Sequence, residues 1–124
     1  MARLITIPGF TGLSIQQLFD LSARHILTTR KRSTNDEGCT YSGCGCAAAP
    51  FLDPNERLYA DSYGSWPGLV CEGLAPDHHA SFIHKLQMCH DGAHNDATFM
   101  KDWAAEMRTL ADRYKLDASI LDAL

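Results

Sequence analysis

Three segments of the chain carry apolar residues at the three-and-four spacing of an amphipathic helix, and the remainder does not. The first is GLSIQQLFDLSARHILTTRKRS, residues 12–33, in which Ile15, Leu18, Phe19, Ser22 and Ile26 share a face. Ser14 and Gln17 stand at capping-box spacing, and Leu13 and Leu18 are set as the hydrophobic staple around them. Thr28-Thr29 and the basic run Arg30-Lys31-Arg32 mark its end. The second segment, HHASFIHKLQMCHDG at 78–92, aligns Phe82, Ile83, Leu86 and Cys89, with Asp77 as N-cap and Gly92 as stop. The third, ATFMKDWAAEMRTLADRYKL at 97–116, is the strongest. Phe99, Met100, Trp103, Met107, Leu110 and Tyr114 run along its inner face, and Lys101, Asp102, Glu106, Arg108 and Asp112 lie outside. Asn95 or Asp96 caps it, and Asp117 opens a last short helix, ASILDAL.

Residues 33–76 differ in kind, holding four of the five prolines and six of the nine glycines. CTYSGCGCAA, at 39–48, has the pattern of a small hairpin: a β-favouring Cys-Thr-Tyr, a Ser-Gly turn and a Cys-Gly-Cys return. Turn signals at Asp53-Pro54, Trp66-Pro67-Gly68 and Ala75-Pro76 then punctuate a long ordered loop over 51–75. Near the start, RLITI reads as a short strand or extended arm, halted by Pro8-Gly9. The expected fold is mainly α with a small β-hairpin. It is a compact single-domain bundle, residues 1–124, of three principal helices with a long ordered loop.

Composition narrows the function classes. Eleven Lys and Arg against fifteen Asp and Glu leave a net charge of −4, which argues against nucleic acid as a partner. The basic run at 30–32 serves the helix C-terminus, where cations complement the dipole. No run approaches the roughly 20 apolar residues of a membrane span. LITIPGF is too short and too broken for a secretory core, so a cytoplasmic chain with reduced thiols is expected. Five cysteines, an odd number, fit a closed disulfide framework poorly. Walker A and G-x-G-x-x-G sequences are absent.

The order of motifs resembles a family of small uncharacterised proteins of bacteria and their phages. That family has a helix, a Cys-x-Tyr-x-Gly…Cys-Ala hairpin, a Leu-Gln-x-x-His-Asp helix and a Trp-containing C-terminal helix. The matching residues are Leu18, Phe19, Asp20 and His25, then Cys39, Tyr41, Gly43, Cys46 and Ala47. Leu86, Gln87, His90 and Asp91 follow, with Trp103, Leu110, Ala111, Tyr114 and Leu116 near the end. The resemblance implies this element order and an origin on phage-related or mobile DNA. It implies no activity.

Chemistry concentrates in GCTYSGCGC, residues 38–46. Zinc takes four thiolate or imidazole ligands, and Cys39, Cys44, Cys46 and His90 are the candidate set for a zinc-stabilised domain. The spacing lacks a second ligand pair, however. A Cys-dependent enzyme would pair Cys44 or Cys46 with His90 and Asp91. The competing structural reading packs Cys46 under the hairpin and leaves His90-Asp91 to close a helix end. In the loop, Tyr59, Tyr63 and Trp66 are residue types that suit protein contacts and equally suit the core. A non-enzymatic interaction or regulatory protein is the leading functional expectation, with protein as partner.

Overall fold

A computed structural model describes residues 4–30, 34–35, 38–43, 45–93 and 95–123, with the backbone alone at 34–35 and 38–39. The fold is mainly helical. Its long helices are α1 (Ile15–Thr29), α4 (Ala80–Asp91) and α5 (Phe99–Tyr114); two short ones, α2 (Arg57–Ala60) and α3 (Trp66–Cys71), lie between α1 and α4. No helix among the described residues is long and apolar enough to cross a membrane.

The capping box forms as its spacing dictates: Ser14 Oγ accepts from Gln17 N at 3.1 Å, and Ser14 N donates to Gln17 Oε1 at 2.8 Å. α1 ends at Arg30, whose backbone is left-handed and whose N–H reaches Ile26 O at 2.7 Å. α4 starts two residues later than Asp77 would dictate. His79 takes the N-cap position in a left-handed conformation, and Asp77 contributes only its carbonyl, to Ala80 N. Asn95 caps a 3-10 turn, Asp96–Thr98, that feeds α5. The expected terminal helix is a 3-10 segment, Ser119–Ala123, with Asp117 Oδ1 accepting from Ser119 N. Gln16 ties this end to α1 through both the N–H and the carbonyl of Asp117.

The hairpin expected over 39–48 does not form. The described extended pairing near it is two residues long on each side, Thr34–Asn35 against Gly38–Cys39. The reason lies in the donors. Asp61 Oδ1 takes the backbone N–H groups of Tyr41 (2.6 Å) and Ser42 (3.3 Å), so neither is free for a ladder. Cys46 N returns to Thr40 O once, at 2.8 Å, and the chain then turns into a 3-10 segment at Ala49–Phe51.

The core joins Leu18, Phe19 and Ile26 of α1 to Ile83 and Leu86 of α4 and to Trp103 and Met107 of α5. Phe10, Phe51 and Trp66 form a triangle of rings 5.7–6.1 Å apart that carries this core under the connecting segment. Residues 4–7 form an extended arm that makes one antiparallel bridge, Thr6 to Leu52, and not a strand of a sheet. Ile5 N donates to Leu74 O, Ile7 N to Phe51 O, and Asp53 N to Ile5 O.

Candidate functional site

The described residues of the segment 40–48 are fastened from three directions, and each fastening uses a residue type suited to its place. Below it, Gln87 of α4 is a buried carboxamide, 1% exposed, with every polar atom engaged. Its Oε1 accepts from Trp66 N at 2.7 Å; its Nε2 donates to Tyr41 Oη at 2.9 Å and lies 3.9 Å from Cys46 Sγ. An amide suits this place because it is acceptor and donor at once and carries no charge to desolvate. On the α1 side, His25 Nε2 is 3.0 Å from Gly45 O. Gly45 has φ +82°, and a Cβ there would meet Ala49 Cβ and His25 Nε2 at 2.8 Å each, so only glycine fits. On the third side Asp61 accepts the two backbone N–H groups already named and the Ser42 hydroxyl.

The cysteines fall into separate surroundings. Cys46 is wholly buried, with its sulfur against Gln87. Cys89 is 6% exposed in α4; burial, then the charge of Glu106, pushes its thiol up to about 12. Cys71 is exposed at the end of α3. Cys44 and the side chain of Cys39 lie outside the described residues. His90 is buried, its Nδ1 2.9 Å from Asp91 Oδ1 and its ring edge-on to Phe99 at 5.5 Å.

Among the described residues, no three His, Cys, Asp or Glu side chains gather closely enough to hold a metal ion. Cys46 and His90, the described members of the expected zinc set, therefore belong to no such group among the described residues. Nor does Cys46 have a surface on which a substrate could meet its sulfur. What the arrangement does chemically is hold backbone in place.

The aromatic residues of the connecting segment divide. Trp66 is 0% exposed and belongs to the core, which removes it from any contact surface. Tyr59 is 48% exposed and Leu58 75%, while Tyr63 is half-buried. The two tyrosine rings meet edge to face at 5.3 Å with their hydroxyls 2.9 Å apart. That hydrogen bond is the main reason the Tyr63 phenol ionises above its ordinary value; burial and the charges of Tyr59 and Glu72 add to it. Asp61 sits between the two tyrosines, so the carboxylate that fastens the cysteine-bearing loop also anchors the segment that displays them. Ala60, 0% exposed, and Arg57, whose Nε donates to Ala49 O at 3.1 Å, anchor its start.

Comparison with protein-family models, with curated proteins and with solved structures returns no match to this chain. The sequence alone assigns no role to Gln87 or Asp61. Its signal for Gln87 was a polar residue inside a buried arc, between Leu86 and Cys89.

Proposed function

We propose that this protein is a non-enzymatic protein-interaction module whose contact surface is the Leu58-Tyr59-Tyr63 patch. The observation that carries the reading is exposed apolar and aromatic side chains on a fastened backbone. Leu58 and Tyr59 are 75% and 48% exposed, yet the residues between and beside them are tied to the core through Ala60, Asp61 and Arg57. A side chain held ready on rigid backbone loses little freedom when a partner covers it, which is how tyrosine contributes strongly at interfaces. In this reading the cysteine-bearing loop is the support, with Asp61 as the link between support and surface. The resemblance to small bacterial and phage proteins favours a bacterial protein as the partner, with a regulatory outcome.

The test is a photo-crosslinking amino acid placed at Ser62, which is exposed between the two tyrosines, in cells of a bacterial host. The expected result is a defined protein adduct that disappears when Leu58→Glu and Tyr59→Glu are introduced together. The same probe at Asp112, exposed on α5, should not give it. Equal adducts from both positions, or an adduct indifferent to the double substitution, would sink the reading.

A further inference from the structure

A second region, built from residues that the contact patch does not use, has the character of a small-molecule site. α4 and α5 pack side by side, and a groove enclosing about 350 Å³ opens between them. That volume lies within the usual range of ligand pockets. The helices run antiparallel: Phe82 near the start of α4 meets Tyr114 at the end of α5 with ring centroids 5.0 Å apart, while Cys89 feels the charge of Glu106. This register orders the groove lengthwise. His84, Lys85 and Arg113 line it toward the Tyr114 end, Met88 and Leu110 supply an apolar middle, and Glu106 stands toward the other end.

Two observations make this more than a crease between helices. Neither Lys85, Arg113 nor Glu106 forms an ion pair among the described residues, although all three line one groove. The cations are therefore uncommitted. His84 adds an imidazole ring to the lining at the cationic end. Met88, 58% exposed, gives the apolar middle an adaptable thioether wall.

We infer that the groove binds a small monocarboxylate with an apolar aryl or alkyl body. Lys85 and Arg113 receive the carboxylate, with the planar guanidinium suited to a two-point contact, and Met88 and Leu110 cover the body. Glu106 limits the excess charge: two cations against one carboxylate leave one net positive charge, which a monoanion balances. Cys89 takes no covalent part, since its thiol stays protonated at neutral pH.

The experiment titrates the full chain with phenylbutyrate and, separately, with the neutral isostere phenylbutanol, following backbone amide NMR shifts. Phenylbutyrate should give saturable shifts confined to residues lining the groove on α4 and α5, and phenylbutanol should bind at least about tenfold more weakly. Lys85→Gln and Arg113→Gln should each weaken phenylbutyrate by about three- to tenfold, whereas Glu106→Gln should tighten it. Lys85 is half-buried and Arg113 exposed, and an unchanged amide spectrum before ligand is added confirms that each variant folds. The inference is overturned if phenylbutyrate gives no saturable shift, if the alcohol binds as well as the acid, or if Glu106→Gln weakens binding.

Discussion

Replacing Gln87 by methionine tests whether a single buried carboxamide holds the connecting segment to α4. Methionine keeps the length and much of the volume, so packing changes little, but both polar functions go. The N–H of Trp66 then faces no acceptor in a buried position, which costs about 1–3 kcal/mol. Tyr41 Oη loses the donor at 2.9 Å, worth a further ~1 kcal/mol. The sum, about 2–4 kcal/mol, is a large part of the 5–15 kcal/mol typical of a domain. Urea unfolding followed by the fluorescence of Trp66 and Trp103 should show the midpoint falling by roughly 1–2 M at unchanged slope. The companion measurement is a double-mutant cycle with Tyr41→Phe. Because the two side chains share a hydrogen bond, the double variant should lose less than the sum of the singles by about 0.5–1 kcal/mol. A loss below about 0.5 kcal/mol for Gln87→Met, or strict additivity with Tyr41→Phe, would contradict this role for Gln87.

Other expectations follow from single contacts. Gly45→Ala should destabilise by at least ~2 kcal/mol, since the methyl meets Ala49 and His25 in a left-handed backbone; thermal unfolding measures it. Trp66→Ala should lower stability by about 3–5 kcal/mol, while Tyr59→Ala, at an exposed site, should stay within about 0.5 kcal/mol; equal losses would contradict their assigned places. Tyr59→Phe removes the hydroxyl that raises Tyr63, so spectrophotometric titration should find the Tyr63 phenol ionising at lower pH than in the parent chain. Cys89 carries a thiol raised from about 9 to about 12, so the native state holds its proton where the unfolded chain releases it. Its contribution to stability is complete below about pH 9 and is lost as pH rises toward about 12; Cys89→Ala should flatten that alkaline decline.

The parts of the fold that were legible in the sequence are those decided within one or two helical turns. The Ser14–Gln17 capping box and the inner stripe of α5 need only neighbours three and four residues away, and both are present as spaced. The prolines and glycines of the connecting segment are turn formers and on their own predict a loop. Yet Pro67 lies in the first turn of α3, where a missing N–H costs nothing, and Pro54 likewise starts a 3-10 turn. Proline there begins helix instead of preventing it. The start of α4 departs from the Asp77 cap for a different reason. His78 is drawn to Leu13 O at 2.7 Å and packs edge-on to Phe10 at 5.6 Å, contacts with residues more than sixty positions away. That commitment leaves His79, not Asp77, at the helix boundary.

The hairpin over 39–48 failed on the same distinction, and its failure is what explains the loop. A β-turn pattern predicts a ladder only if the flanking N–H groups have nothing better to bind. Here a carboxylate twenty residues downstream binds two of them, and an ionised acceptor makes a stronger bond than a backbone carbonyl. Gly45 then turns the chain in a conformation that leaves its carbonyl for His25. The described cysteine of the loop, Cys46, is thus placed by its own N–H on Thr40 O and by the bonds of its neighbours, its sulfur filling the space beside Gln87. Such a loop has its chemistry at its edges, where Asp61 passes the fastening on to Tyr59 and Tyr63. If that linkage is correct, Asp61→Asn should do two things at once: loosen amide protection at Tyr41 and Ser42, and weaken any contact made through Tyr59. A variant that loosened the loop while leaving the Tyr59 contact intact would separate support from surface and require the patch to stand on Ala60 and Arg57 alone.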